Sequence, residues 1–429
     1  MKRSRFALVI LLLSTLALAQ GAYPGFPVQT PGSVPDVEPI VFPGPGGEGG
    51  SPVTLQVSPG GKPQQIWSFG DSITYGVGAT TPNLNWVSIL ADTTRWSVIN
   101  FGLSGGWVAD ETDQIFSVAV ASNSISTMLT SVNDMRGINT NSTAQAAFGT
   151  ELYAVIPWLA TLDSNKAKGQ GGSVPVTYTG TWNLPTSGAG TFTQTTCMNA
   201  TTVGSTASFS VTGTVVYVAS LQQQGNASTF GITIDGTNEG TFKSSTVLPT
   251  TGSYNRSFGP YGLRFAGLGG GAHTVILTAS TGTNGGNPVY FCYGAGNAAN
   301  GSYAYIGNTL SLTAAGYASG GGSPTAVSEF NALISSVVRT LAGDGLNVVY
   351  VNANAAYNPN TMTVADGIHP NNLGHATIAA TFASSITHHN RFVRSAWNRR
   401  SCLRFLCASS TPHCQSQFRR VRFRSIAET

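Results

Sequence analysis

Short apolar runs that stop at glycine- or serine-rich turns recur over residues 64–165 and again beyond residue 302. Runs at 66–70, 96–101 and 125–129 read as buried strands, while the segments at 85–92 and 144–162 read as helices. Strands alternating with helices predict a parallel sheet with crossover helices. From about 171 to 300 the pattern changes to alternation of Thr, Ser, Gly and Val, with strands expected over 176–182, 207–218, 230–235, 262–265 and 273–279. Turn signals such as Asp235-Gly236 and Gly269-Gly270-Gly271 separate these runs. Short strands at such spacing predict an antiparallel β-sandwich. The α/β pattern then resumes, with strands over 303–312 and 347–352 and helices over 326–341 and 373–386. The sandwich is therefore expected as an insertion in an α/β domain and not as an appendage to it.

The two ends of the chain follow other rules. Residues 1–19 combine a basic start (Lys2, Arg3, Arg5), an apolar stretch over 6–13 and Ala17-Leu18-Ala19 before Gln20. This is the pattern of a secretory signal peptide with an A-x-A cleavage site, and the apolar stretch is too short to span a bilayer. Residues 20–63 carry proline every few positions and a glycine patch at 46–50, which makes them an extended linker. Residues 389–429 are Arg-rich and keep neither helical nor strand period, so they read as a basic tail. Between these ends, 64–168 and 302–388 are expected to form the two parts of the α/β domain, with the sandwich at 169–301 between them.

Composition sharpens this picture. An apolar content of 41% excludes a disordered chain, and with only 9% charged residues the surface must consist largely of Ser, Thr, Asn and Gly, as suits an exported protein. The formal charge of +4 comes from the ends: nine of the 21 basic residues lie between Arg391 and Arg424. Between residues 20 and 388, 9 basic residues face 16 acidic ones. That body has no basic face for nucleic acid.

Candidate chemistry begins where the first run ends, at Gly70-Asp71-Ser72. This puts Ser72 at the carboxyl end of a strand, the edge where open α/β sheets bind ligands. There a serine can present its hydroxyl and its N–H to the same group. A serine hydroxyl is a poor nucleophile until a base takes its proton, and histidine is well matched to that task near neutral pH. Asp366-Gly367-Ile368-His369-Pro370 supplies one: Asp366 can hold Nδ1–H and leave Nε2 facing Ser72. Donors for an oxyanion are available on the same edge in the N–H of Ser72, the N–H of Gly105 and the side-chain amide of Asn133. A rival nucleophile is Ser104, because Gly102-Leu103-Ser104-Gly105-Gly106 satisfies G-x-S-x-G. Against it, the segment from Trp107 is expected to open no helix, and the Ser72 stretch would be left without a purpose. No chemistry is assigned to His273 or to His375, which is expected on a helix surface or packed against it. Cys197 and Cys292 fall within the insert and can pair in an exported protein or stay as two separate buried thiols.

Taken together, these stretches resemble the SGNH branch of the GDSL esterase/lipase (acylhydrolase) family. Phe69-Gly70-Asp71-Ser72-Ile73-Thr74-Tyr75-Gly76 is similar to its first block, Asn100-Phe101-Gly102-Leu103-Ser104-Gly105 to its second, Ser131-Val132-Asn133-Asp134 to its third and Asp366-Gly367-Ile368-His369-Pro370 to its last. The resemblance covers residues 64–165 and 303–388. It implies a three-layer α/β/α flavodoxin-like domain with a parallel sheet, interrupted here by a jelly-roll-like sandwich of a kind that often binds carbohydrate. It also implies a serine esterase that works through an acyl-enzyme, with Ser72, Asp366 and His369 catalytic and Ser72, Gly105 and Asn133 forming the oxyanion hole. No metal or cofactor is implied. Ser131 departs from the family glycine at that position. With the signal peptide and the insert, the expected substrate is a small-molecule or polysaccharide ester, acyl or acetyl, met outside the cell or in the periplasm. The alternative is a secreted carbohydrate-binding protein on an inactive hydrolase scaffold. The sequence carries no signal for oligomeric state.

Overall fold

A computed structural model describes residues 65–121, 124–185, 196–245, 258–298 and 302–387 of the protein. The expected signal peptide, linker and basic tail lie outside the described residues. The first apolar run forms β1 (Gln65–Gly70), followed by a single helical turn, α1 (Ser72–Tyr75), and by α2 (Trp86–Thr94). Asn85 starts α2 by accepting the Ser88 N–H at 2.8 Å. Next come β2 (Ser97–Gly102), α3 (Val108–Ser117), β3 (Ile125–Leu129), α4 (Val132–Ile138) and α5 (Ser142–Ala160).

Helix α3 corrects the expectation that no helix opens after Gly106. It lacks a Ser, Thr, Asp or Asn cap. Instead the carboxylates of Asp110 and Asp134 accept the N–H groups of Trp107 (3.0 Å) and Val108 (3.3 Å). An acidic residue, Glu111, is also buried on its inner side, so neither the usual start signal nor a clean apolar stripe is present in the sequence.

The insert contributes β4 (Lys166–Lys168), β5 (Val176–Thr179), β6 (Trp182–Asn183), β7 (Met198–Ala200), β8 (Thr206–Thr212), β9 (Val215–Gln223), β10 (Thr229–Ile234), β11 (Thr237–Lys243), β12 (Phe258–Ala266), β13 (Ala272–Ala279), β14 (Val289–Phe291) and β15 (Tyr293–Gly296). The α/β pattern returns with β16 (Tyr303–Gly307), α6 (Ala314–Gly320), α7 (Pro324–Gly343), β17 (Val348–Val351), α8 (Pro359–Met362) and a helix over 372–387, here α9.

The first sheet is parallel in the order β17-β16-β3-β1-β2. Counted within the α/β domain alone, this is the flavodoxin-like order 2-1-3-4-5, and the strand order reverses at β1. All five residues of β3 are buried, as a central parallel strand requires. On one face, Trp86 of α2 stacks on Phe382 of α9 with ring centroids 4.9 Å apart. On the other, α3, α5 and α7 pack side by side, with Phe148 and Phe330 at 4.8 Å. Three layers result.

The insert is a β-sandwich. Its sheets β11-β10-β13-β8-β5 and β12-β9-β15-β4 share a core that includes Phe209, Phe230, Ile232, Leu277, Val218 and Phe291. The run expected as one strand over 207–218 is two strands, β8 and β9, in different sheets. The polar and apolar alternation continues through Gly213, so periodicity alone gives no sign of the break. β4, expected on the α/β side of the boundary, pairs with β15 in the sandwich. Cys197 and Cys292 are bonded to each other.

The sandwich sits directly on the α/β domain. Tyr293 donates its hydroxyl to the Ala154 carbonyl of α5 at 2.6 Å, while Tyr217 and Arg264 both donate to Asp344 just past α7. Contact between β12 and α5 is close enough that a Cβ at Gly262 would lie 2.2 Å from backbone atoms of Tyr153 and Ala154. Among the described residues, no helix is long and apolar enough to cross a membrane. Gly262→Ala is expected to push β12 off α5 and to destabilise the protein by roughly 1–3 kcal/mol, the usual cost of overpacking. Thermal unfolding measures this, and an unchanged midpoint would mean that the two domains do not rest on this contact.

Candidate active site

The site forms where the strand order reverses. β1 ends at Gly70, and Asp71 turns the chain by accepting the Ile73 N–H at 2.9 Å, so Ser72 becomes the first residue of α1. As first residue of a helix, its N–H has no intrahelical partner. The two neighbouring loops are tied to this turn. Leu103 N–H, after β2, donates to Gly70 O at 2.8 Å, and Thr74 Oγ1 donates to Leu129 O, at the end of β3, at 3.1 Å. The Asn133 amide, in the first turn of α4, donates to Gly106 O at 2.8 Å. Ser72, Gly105 and Asn133 thus follow three adjacent strands at one edge of the sheet.

The fourth segment comes from 297 residues away. His369 Nε2 lies 2.9 Å from Ser72 Oγ, and His369 Nδ1 lies 2.6 Å from Asp366 Oδ2. The other carboxylate oxygen, Asp366 Oδ1, accepts the N–H groups of Ile368 (2.8 Å) and His369 (2.9 Å). The carboxylate therefore fixes both the imidazole and the loop that carries it. Partial burial alone would raise the Asp366 pKa, but the hydrogen bonds from the His369 ring and the two backbone N–H groups prevail and hold it below the usual carboxylate value. Asp366 is charged at neutral pH, and an imidazole between it and a serine hydroxyl is disposed to take the hydroxyl proton.

Four further hydrogen bonds, two each from Asn372 and His375, hold the two loops together. Asn372 accepts the Thr80 N–H at 2.9 Å and donates to the Thr80 hydroxyl at 2.9 Å. His375 is fully buried. Its Nδ1 accepts the Trp86 N–H (3.4 Å), which leaves Nε2–H to donate to Val77 O (3.2 Å). Burial lowers its pKa to about 4, so this imidazole is neutral and acts as a strut. His273 lies in the sandwich, bonded to Asp235 and to the Gly213 and Gly269 carbonyls, away from this site.

Ser104 lies in an exposed turn after β2; His369 Nε2 faces Ser72 instead. Ser131 adopts φ 81°, the left-handed region that favours glycine, and its hydroxyl meets Thr309 Oγ1 at 2.5 Å and the Thr130 carbonyl. Serine here keeps the backbone shape that a glycine would take, at a strain cost on the order of 1 kcal/mol.

Beneath the Ser72 turn lies a set of carboxylates that sequence reasoning passed over. Asp71, Glu111 and Asp134 are all buried. Thr130 donates to Glu111 Oε1 at 2.6 Å. Burial, followed by repulsion from Asp71, pushes Glu111 well above the carboxylate range. Arg136 was missed as well. It lies one turn after Asn133 on α4, donates from Nη1 to Asn133 Oδ1 (3.2 Å) and from Nε to Gly320 O (2.8 Å). The i, i+3 spacing of Asn133 and Arg136 would have shown the first of these contacts, had a helix been expected at 132–138. Among the described residues, no group of three or more His, Cys, Asp or Glu side chains is placed to hold a metal ion.

No protein-family model matches the sequence. No curated protein matches it either. Among solved structures, the chain is similar to a two-domain esterase (CEX) active on acetylated mannans and co-crystallized with mannopentaose. The identity is 12% and the TM-score 0.31, over 54% of this chain and 90% of that one. It is similar to a family 35 carbohydrate binding module from an environmental isolate at 12% identity and a TM-score of 0.23, over 30% and 89% of the two chains. A Clostridium thermocellum family 3 carbohydrate esterase gives 20% identity and a TM-score of 0.18, over 22% and 41%. At these TM-scores the site's own geometry carries the functional reading.

That geometry has a pH signature. Burial raises Asp71 from 3.8 to about 6, so the folded carboxyl holds its proton more tightly than the unfolded one. Its contribution to stability is complete below about pH 3.8 and is lost as pH rises through about 6. The loss is on the order of 3 kcal/mol. Asp71→Asn keeps a capping oxygen and removes this loss, while Glu111 still contributes a fall in the same direction. Urea midpoints at pH 4 and pH 7 are expected to differ less in the variant than in the parent; an equal difference would place the proton elsewhere.

Proposed function

We propose that this protein is a serine esterase of the SGNH type, hydrolysing carboxylic esters through an acyl-enzyme. Ser72 attacks the acyl carbon while His369 takes its proton. Asp366 orients the imidazole and stabilises its charged form. The N–H groups of Ser72 and Gly105 and the amide of Asn133 receive the charge that develops on the carbonyl oxygen. His369 then returns the proton to the departing alcohol. Water, deprotonated by the same imidazole, releases the acid and restores Ser72. The observation that carries this reading is the approach of His369 Nε2 to Ser72 Oγ at 2.9 Å, with Asp366 at 2.6 Å behind it.

For the substrate, the reading favours an acyl or acetyl ester on a carbohydrate, met outside the cell. The signal-peptide pattern of residues 1–19 and the sandwich set into the α/β domain support this. The scheme requires no metal or cofactor, because the nucleophile, base and donors it uses are all side-chain or backbone groups of the chain.

A fluorophosphonate is expected to label Ser72, located by peptide mass spectrometry, and Ser72→Ala to lower kcat on a short-chain aryl ester by about 10⁴-fold or more with the fold intact by circular dichroism. Retained turnover in that variant, or labelling at Ser104, would overturn the assignment. Asn133→Ala is expected to lower kcat by about 10²–10³-fold, the usual loss for one oxyanion donor; a parent-like kcat would remove Asn133 from the hole.

A further inference from the structure

An asparagine amide has two ends of opposite polarity and nearly the same shape. As an oxyanion donor, Asn133 works only with Nδ2 toward the reacting oxygen; the flipped amide would set Oδ1 against the developing negative charge. Two neighbours of fixed polarity decide between these states. The Gly106 carbonyl can only accept, and it meets Nδ2 at 2.8 Å. The Arg136 guanidinium can only donate, and it meets Oδ1 at 3.2 Å. Nδ2 carries a second hydrogen that these contacts leave for the substrate.

The guanidinium is itself held. Its Nε donates to Gly320 O at 2.8 Å, at the last residue of α6. A Cβ at Gly320 would lie 2.3 Å from Nη2, 2.4 Å from Nε and 2.6 Å from the guanidinium carbon of Arg136. Gly320 is not among the residues with positive φ, so what excludes a side chain there is the space the guanidinium occupies. The tri-glycine turn Gly320-Gly321-Gly322 is thus fitted around Arg136.

We propose that Arg136 is a positioning residue for the oxyanion hole, fixing the Asn133 amide with Nδ2 toward the substrate, and that Gly320 is kept free of a side chain to seat it. The proposal rests on the esterase reading above. A clamp that merely joined α4 to α6 would affect stability alone, whereas this role ties Arg136 to the rate through Asn133.

The test is a double-mutant cycle on a short-chain aryl ester, with kcat, KM and urea midpoints measured for each variant. Arg136→Ala is expected to lower kcat by about 10–100-fold, part of what a lost donor costs, with KM within about threefold. In the Asn133→Ala background the same change is expected to lower kcat by less than about twofold. Arg136→Lys, a single-point donor unable to fork between Asn133 and Gly320, is expected to recover only part of the loss. Gly320→Ala provides a second route should Arg136→Ala fail to fold. It is expected to lower kcat alone, and to lower it by a smaller factor on top of Arg136→Lys than in the parent. Losses that multiply in the Asn133→Ala background, or a parent-like kcat in both Arg136→Ala and Gly320→Ala while Ser72 remains essential, would overturn the role of Arg136 and leave the esterase reading standing. Full turnover in Ser72→Ala without fluorophosphonate labelling would overturn both.

Discussion

The arrangement depends on one approach between distant segments of the chain. An imidazole at position 369 must reach a hydroxyl at position 72, and nothing local can bring them together. Two loops do this, each leaving the same edge of the parallel sheet, and their contact is braced well beyond the hydroxyl and the imidazole. Asn372 grips Thr80 with both ends of its amide, and His375 spans from the Val77 carbonyl to the Trp86 N–H. Trp86 in turn stacks on Phe382 of the same helix that carries His375. The hydroxyl and imidazole are thus positioned by a packed face of the domain. Under the proposed mechanism such a pair would react without first having to be ordered, which is how positioning lowers a barrier.

The sandwich occupies the opposite end of the sheet. Its anchors are the carbonyls of Phe116 and Ala154 and the residue Asp344, all near or past the carboxyl ends of α3, α5 and α7. A helix that follows a parallel strand runs back along it, so its carboxyl end lies at the amino edge of the sheet. The proposed acyl site is at the carboxyl edge, a strand length away, or roughly 17 Å for a strand the size of β3. Among the described residues, the anchors of the sandwich lie away from the edge that carries the proposed acyl site. Its joint with the α/β domain is packed and hydrogen-bonded: Lys166, fully buried there, donates to the Trp158 carbonyl at 2.8 Å and pairs with Asp163, with its Nζ 4.2 Å from the Trp158 ring centroid.

The fold was legible wherever periodicity and chain order sufficed. The parallel sheet, its crossover helices and the inserted antiparallel sandwich all follow from apolar runs and the turns that end them. Legibility failed where tertiary contacts replaced local signals. α3 begins without a capping hydroxyl or amide because carboxylates of Asp110 and Asp134 do that work, and Asp134 comes from another element. The switch from β8 to β9 was hidden because a strand can change sheets without changing its two-residue period. At the site, the residues with a chemical signature could be named in advance: a serine after a strand, a histidine three residues past an aspartate, a glycine turn and an asparagine. The buried carboxylates Asp71 and Glu111 and the buried His375 could not be assigned their places, because burial depends on neighbours that a linear pattern does not reveal.

Ser131 shows how the two kinds of information combine. By sequence it is a departure, a side chain where a glycine is expected. In three dimensions its backbone is in the left-handed conformation, so the turn into α4 has the shape a glycine would give it. What a glycine cannot supply is the hydroxyl, which reaches Thr309 across to the segment after β16. The strain of a serine in that region, on the order of 1 kcal/mol, is comparable to what one such hydrogen bond returns. Asn133, two residues further on, therefore starts from an undisturbed turn, and its direction is decided by the polar neighbours at its two ends. Position along the chain gives the proposed donor its place at the edge of the sheet, and the Gly106 carbonyl and the Arg136 guanidinium give its amide a direction.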